Sequence, residues 1–166
     1  GMDVKGRVIV VLVNDPPVED EKIFGGKAMT YYGRWTYKFE KAAELGAAGC
    51  FIIHQTDRAG YPWGVVRNSW GAEQFDLSTP DKNAGRVAIE GWISQPQAQA
   101  LFKMAGKDLD ALTKAAVSRD FKPVQLGVHV KLAVQNKLRT VDSTNAIARL
   151  TGNDAKLKNE YVIYCA

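Results

Sequence analysis

The chain has 166 residues, of which 46% are hydrophobic and 24% are charged, and a chain of this length buries about 70% of its unfolded surface around one core. Lysine and arginine outnumber aspartate and glutamate by 22 to 18. These charges are scattered along the sequence, so they do not by themselves indicate nucleic-acid binding. The soft or imidazole ligands are limited to Cys50, Cys165, His54 and His129. Two cysteines and two histidines are too few for a histidine-rich metal centre or for a disulfide-dense secreted scaffold.

The first third of the chain predicts a βαβ unit. Arg7–Val13 is a β-branched run that ends before Pro16 and is typical of a strand buried on both faces. Apolar residues in Tyr32–Leu45 fall on one helical face, and Gly46 marks the expected end of that helix. The apolar run Gly49–His54 predicts a second strand. We expect the two strands to be parallel, with a right-handed crossover between them.

The middle of the chain predicts a long loop, a strand and two helices. Periodicity is lost from Gln55 to Asn83, and a loop of this length inside a compact domain is usually functional or else misassigned. Arg86–Trp92 alternates and predicts a strand, after which Ser94 is the expected N-cap of a helix over Gln95–Ala105. A second helix is predicted over Leu109–Ser118.

The last third of the chain predicts further strands. Gln125–Gln135 alternates over its whole length, which is typical of a half-exposed strand, and we expect it to pair antiparallel with Arg139–Leu150. Glu160–Cys165 predicts one more strand. Together the elements predict an α/β (α+β) fold with a βαβ unit and additional, mostly antiparallel strands.

Catalytic and metal-binding signatures are not found. Gly26 and Lys27 lack the spacing of a phosphate-binding loop, and no GxSxG motif is present. Cys50 and His54 could share a metal ion on a helix, but on the predicted strand they lie roughly 13 Å apart. His54 is therefore expected to end a core strand, and His129 to be a solvated side chain. The sequence predicts no catalytic residue and no metal ligand.

Aromatic and arginine side chains form the candidate recognition site, since such clusters are common on contact surfaces. The alternative is that these rings pack into the core, which we expect for Trp35 and leave open for the rings of the long loop. Acidic residues balance the arginines of that loop, so no nucleic-acid partner is predicted. The residues expected to face a substrate or partner are Tyr31, Tyr32, Arg34, Tyr61, Trp63, Arg67 and Trp70.

Four segments of the sequence resemble the protease-associated domain and its flanks in bacterial zinc exopeptidases. That family of co-catalytic zinc aminopeptidases includes glutamate carboxypeptidase-like enzymes. The resemblance covers nearly the whole chain, and GRWTYKFEKAAELGAAG is its most specific stretch. The segments are DVKGRVIVVLVNDP (Asp3–Pro16), GGKAMTYYGRWTYKFEKAAELGAAGCFIIHQT (Gly25–Thr56), AGYPWGVVRNSW (Ala59–Trp70) and STNAIARLTGNDAKLKNEYVIYCA (Ser143–Ala166).

The resemblance implies a swivelling β/β/α protease-associated domain at residues 1–136, followed by flanking strands at 137–166 that lead into a zinc peptidase domain. In the family, the strand similar to EYVIYCA leads directly into a His-x-Asp zinc-ligand motif, and this chain ends at Ala166, before that motif. The zinc ligands and the catalytic glutamate are thus expected outside these residues. No cofactor is expected in this chain, and zinc is expected in the catalytic domain of the parent protein.

The function implied by the resemblance is non-catalytic. Such a domain caps the active-site cleft of the parent aminopeptidase or carboxypeptidase and contributes to substrate access, peptide binding or protein interaction. In glutamate carboxypeptidase-like relatives an arginine of this domain touches the substrate. The stretch here is shorter around Tyr37 and Lys38, so that role is not carried over to Arg34. The alternative is a free-standing protein-interaction module with no attached peptidase.

The expected partners are the peptide or protein substrate of the parent peptidase and the peptidase domain itself. Formation of a homo-oligomer is left open. The longest apolar run, Val8–Val13, is far shorter than the roughly 20 residues that span a bilayer, so no membrane insertion is predicted. The residues do not reveal a location, but the resemblance implies a secreted or periplasmic parent.

Overall fold

The computed structural model describes residues 2–18, 20, 22–24 and 28–165. The chain divides into two compact units, Gly1–Lys131 and Leu132–Ala166. Every helix and strand of the described residues lies in the first unit. No helix in the described ranges is long and apolar enough to cross a membrane.

A three-stranded parallel sheet forms the centre of the first unit. Its strands are β1 (Val8–Leu12), β2 (Gly49–His54) and β3 (Ile89–Ser94), with β2 in the middle. The run GCFIIH can occupy this position because it is apolar on both faces, as parallel strands covered on both sides require. The predicted strands β1 and β2 and their parallel pairing are confirmed, but the prediction that the first strand is buried on both faces is wrong, because β1 is an outer strand and only partly buried.

The described residues form five α-helices. The predicted first helix is confirmed as α1 (Trp35–Glu44), but it begins three residues late because Tyr31–Gly33 forms a 3-10 turn. The other helices are α2 (Thr56–Ala59), α3 (Trp63–Trp70), α4 (Gln95–Met104) and α5 (Leu109–Ala115).

One face of the sheet packs against α1 and α3. Ile52 of β2 lies opposite Val11 in β1 and Trp92 in β3, and it shares a core cluster with Phe39 and Ala42 of α1. Ile52 is completely buried. Because successive residues of a strand face opposite sides of the sheet, this cluster forms one of two apolar layers.

The opposite face of the sheet packs against α4 and α5. Ile53, the neighbour of Ile52 in β2, forms a second cluster with Ala98 and Phe102 of α4 and Leu109 of α5. The predicted N-cap at Ser94 is confirmed, since Ser94 and Gln97 form a reciprocal capping box. The fold is a small mixed α/β domain with helices on both faces of the sheet, which confirms the predicted fold class at this level.

The prediction of an unstructured loop from Gln55 to Asn83 is wrong. Helices α2 and α3 occupy its first half, separated by Gly60, which has φ +79° and ends α2. Only Val66 of α3 is buried. A helix of eight residues with one buried position shows too little periodicity to be recognised between glycine and proline.

The predicted strand Arg86–Trp92 is shifted by two or three residues, because β3 spans Ile89–Ser94. The strand begins later because Arg86 lies in a turn. Its backbone N–H donates to the carbonyl of Asn83 (3.0 Å). At its other end, Ser94 is both the last residue of β3 and the N-cap of α4.

The predicted antiparallel strands at Gln125–Gln135, Arg139–Leu150 and Glu160–Cys165 are not formed. Residues 122–165 are all described and contain no strand, and every strand pair in the described ranges is parallel. Apolar side chains such as Val134 and Ile163 are exposed. Alternation specifies a strand only where neighbouring strands and a packed face are provided, because the preference for strand depends on that surrounding. The assignment of 1–136 and 137–166 to particular domains stays a prediction.

The alanine variant of Ile52 should lower the free energy of unfolding by about 2–5 kcal/mol, because it leaves a cavity at the centre of the core. Ile147→Ala is a matched control, since that isoleucine is 91% exposed and its truncation should change stability by less than about 0.5 kcal/mol. Urea denaturation monitored by circular dichroism measures both. Equal effects of the two substitutions would contradict the central position of β2.

Candidate recognition site

An exposed aromatic surface lies at the start of α1. Tyr31 and Tyr32 of the 3-10 turn are 51% and 56% exposed. Both rings contact Tyr37 edge-on, with centroid distances of 5.5 and 5.0 Å. Arg34 is exposed at the N-cap position of α1, and no carboxylate in the described part of the chain forms an ion pair with it. We call Tyr31, Tyr32 and Arg34 the α1 patch.

The α1 patch is fixed to the end of β1 by hydrogen bonds. The carboxylate of Asp15 accepts from the backbone N–H of Thr30 (2.7 Å) and from the Thr30 hydroxyl (3.1 Å). The backbone N–H of Asn14 donates to the carbonyl of Gly33 (3.1 Å). A Cβ at Gly33 would lie 2.9 Å from Asp15, so this close approach requires glycine. The turn that carries the two tyrosines is therefore held by the sheet.

Two further polar contacts lie beside the α1 patch. The hydroxyl of Tyr31 donates to Oε2 of Glu40 (2.6 Å), and this hydrogen bond raises the pKa of Tyr31. The ammonium group of Lys38 donates to the carbonyl of Asn14 (3.3 Å). Burial lowers the pKa of Lys38, and the charge of Asp15 opposes that shift. The Tyr31 hydroxyl thus stays protonated, and Lys38 is turned toward the protein.

Tyr61 and Trp63 lie around the imidazole of His54. That imidazole is buried at the end of β2, with Nε2 3.0 Å from the carbonyl oxygen of Tyr61. The rings of Tyr61 and Trp63 each lie 5.6 Å from it. The prediction that His54 ends a core strand is confirmed. These two aromatic residues attach the α2–α3 segment to the sheet, and both are half-buried.

Trp70 belongs to an aromatic cluster between α1, α3 and β3. Its ring lies 5.7 Å from Trp35, 5.9 Å from Phe39 and 6.5 Å from Trp92. Trp70 is half-buried against the core, whereas Arg67, one turn earlier on α3, is exposed. The structure thus brings Tyr31, Tyr32 and Arg34 together and places Trp70 in a packing role.

The described residues provide no metal centre. Within the ranges that the structure describes, no three His, Cys, Asp or Glu side chains could hold an ion. Cys50 is buried in β2, and burial raises the pKa of its thiol to about 12. His129 is exposed, in keeping with its prediction as a solvated side chain.

Sequence reasoning did not identify Asp15, Gly33 or Glu40 as supports of the α1 patch. A signal for Asp15 was present, because an aspartate that directly follows a parallel strand lies at the carboxyl edge of the sheet. Its partner Thr30 is fifteen residues further along the chain. No local pattern indicated that pairing.

Comparison with known proteins gives no relative for this chain. No protein-family model matches it, and neither a curated protein nor a solved structure does. The fold and the α1 patch therefore rest on the residues and contacts described above.

The thiol of Cys50 should be inert in the folded protein. At about pH 8 it should react with a disulfide reagent only after unfolding, whereas the exposed Cys165 should react at once. The pKa of the Cys50 thiol is about 12 in the folded protein and has its usual value of 9.0 in the unfolded chain. As the pH rises, the thiol therefore loses its proton in the unfolded chain first. The stability that the protonated Cys50 thiol contributes should thus be fully present below pH 9 and be lost as the pH rises toward 12. Two rapidly reacting thiols in the native protein would contradict this environment.

Alanine variants of Trp70 and Tyr32 should differ in their free energy of unfolding, because Trp70 packs against the core and Tyr32 is exposed. Trp70→Ala should lower the free energy of unfolding by about 2–4 kcal/mol, less than for a fully buried tryptophan, because Trp70 is only partly buried. Tyr32→Ala should cost about 1 kcal/mol or less, mainly through loss of the contact with Tyr37. Thermal and urea denaturation of both variants measure the difference. A larger cost at Tyr32 would place that ring in the core.

Proposed function

We propose that this chain is a non-catalytic protease-associated domain of a zinc exopeptidase, and that its α1 patch contacts the peptide substrate at the mouth of the active-site cleft. The parent enzyme is an aminopeptidase or carboxypeptidase whose zinc ions and catalytic glutamate belong to a separate domain. In this proposal the chain contributes binding and access, and all bond cleavage takes place in the catalytic domain.

The α1 patch is the observation that carries the proposal. Tyr31, Tyr32 and Arg34 are exposed on one short segment, although aromatic rings of this size are usually packed. The hydrogen bonds of Asp15 hold that segment in place. A recognition surface needs such rigidity, because ordering it during binding would lower the affinity.

The patch offers two kinds of contact to a peptide. The tyrosine rings supply flat apolar area at a low cost in conformational entropy, and the Arg34 guanidinium can bind a carboxylate through paired hydrogen bonds. Of the two tyrosines, Tyr31 already donates its hydroxyl proton to Glu40. Tyr32 and Arg34 are therefore the residues through which the patch is best able to select a peptide.

The resemblance to protease-associated domains connects this surface with a peptidase. The segment Gly25–Thr56 that resembles the family contains the α1 patch, the whole of α1 and β2. In the proposed parent, the patch faces the cleft and restricts which peptide termini enter. The same surface on a free-standing module would bind a partner protein instead.

The native gene and kinetics of the longer protein test the proposal. We expect a His-x-Asp motif directly after Ala166. In the enzyme, Tyr32→Ala and Arg34→Ala should each raise KM for peptide substrates about threefold to tenfold while kcat changes less than about twofold, because they remove binding made equally in the ground and transition states. Lys103→Ala in α4, on the opposite face of the sheet, is the control and should leave both constants unchanged.

The isolated chain provides the complementary assay. With added zinc it should show no turnover of aminopeptidase or carboxypeptidase substrates, and the same assay with a chelator sets the background. Zinc-dependent turnover would overturn the non-catalytic assignment. A stop codon after Ala166 would instead support the free-standing interaction module.

A further inference from the structure

A surface depression lies beside β3, where α3 ends. Its volume of about 360 Å³ is at the lower end of the roughly 300–1,000 Å³ found for ligand sites, so it has room for one long side chain and water. The base and rim combine an indole ring, small apolar side chains and a charged pair. The lining residues are Trp70, Asn83, Arg86, Val87, Ala88 and Glu90.

The charges at this depression do not cancel. Arg86 donates through Nε to Oε1 of Glu90 (3.0 Å) and also contacts the second oxygen of Glu90 and the carboxylate of Asp76. Two carboxylates thus surround one guanidinium. The Glu90 side chain is only 10% exposed, whereas that of Asp76 is 53% exposed. The surplus negative charge is therefore accessible at Asp76 and favours a cationic partner.

The strand beside the depression has an open edge. β3 is an outer strand of the sheet, and no other strand in the described ranges pairs with its outer side. Such an edge presents backbone donors and acceptors that an added strand can satisfy. A side chain of an added strand that lies opposite Glu90 would share its face of the sheet at about 5 Å.

One segment of this chain has the side-chain pattern that this edge requires. In residues 125–131, Leu126, Val128 and Val130 alternate with His129 and Lys131. The segment belongs to no strand in the described structure, and Leu126 packs against the α4–α5 cluster. Gly127 has φ +67° and would have to become extended on binding, which a glycine allows. With that apolar set on the α4–α5 side, Lys131 falls on the same face as Glu90.

We propose that the outer edge of β3 binds residues 125–131 of a second copy of this chain as an added strand. Lys131 of that copy then enters the depression and pairs with Asp76 beside Trp70, while its apolar residues extend the layer formed by Ile89 and Ile93 of β3. Each of two copies can donate this segment to the β3 edge of the other, which gives a closed dimer with two equivalent contacts. This association is independent of any attached peptidase.

The oligomeric state of the full chain tests the proposal. Analytical ultracentrifugation under reducing conditions, which prevent a disulfide through Cys165, should show a monomer–dimer equilibrium over about 1–200 µM. Lys131→Glu should weaken dimerisation about threefold to tenfold at low salt, and high salt should diminish the difference. Lys122→Glu makes the same charge change just before the segment and should have no effect.

Two further variants separate the proposed contact from general effects of charge. Asp76→Lys combined with Lys131→Glu should restore dimerisation, because the pair is regenerated with reversed signs. Val130→Pro should abolish dimerisation and preserve the circular dichroism spectrum, since proline removes a backbone donor from a segment that is unpaired in the monomer.

Three results would overturn the proposal. The first is a monomer over the whole concentration range. The second is a dimer that Val130→Pro leaves intact. The third is a monomer whose amides at residues 125–131 are protected from hydrogen exchange, because that protection would show the segment paired within its own chain.

Discussion

The burial of β2 on both faces is the constraint on which the rest of the fold depends. Ile52 and Ile53 are adjacent and both almost completely buried, which is only possible if separate helical layers cover the two sides of the sheet. The α1 and α3 helices provide one layer, and α4 and α5 provide the other. Among the described residues, the two outer strands are each paired on one side only, so their free edges follow from the central position of β2.

Residues at the carboxyl ends of β1 and β2 hold the neighbouring loops in place. At the end of β1, Asp15 captures the backbone that leads into α1, and at the end of β2 the imidazole of His54 is surrounded by Tyr61 and Trp63. Both contacts connect a loop to a strand that cannot move without disrupting the core. The two contacts differ in exposure, because Tyr31 and Tyr32 beside the first are exposed, whereas Tyr61 and Trp63 beside the second are half-buried.

The sequence predicted those parts of the fold whose signal is local. β1, α1 and β2 each carry an apolar pattern that matches their own period, and Ser94 caps α4 as its residue type indicates. Helix α3 was missed because eight residues between Pro62 and Gly71 bury only Val66. The strands predicted from residue 125 onward are not formed. Alternation shows that a segment could pack one face as a strand, but it does not show that a neighbouring strand is available for pairing. At the candidate site, composition identified Tyr31, Tyr32 and Arg34, while the hydrogen bonds that fix them connect residues distant in sequence.

The position of Cys50 links the reactivity of its thiol to the integrity of the sheet. The 166 residues contain two cysteines, and both are free thiols, Cys50 buried in the first unit and Cys165 exposed in the second. With its sulfur enclosed in the central strand, Cys50 is protected from oxidants and from exchange with other thiols. In the described structure the first unit is therefore held by packing and hydrogen bonds around a reduced thiol, and an oxidant reaches that thiol only when the central strand opens.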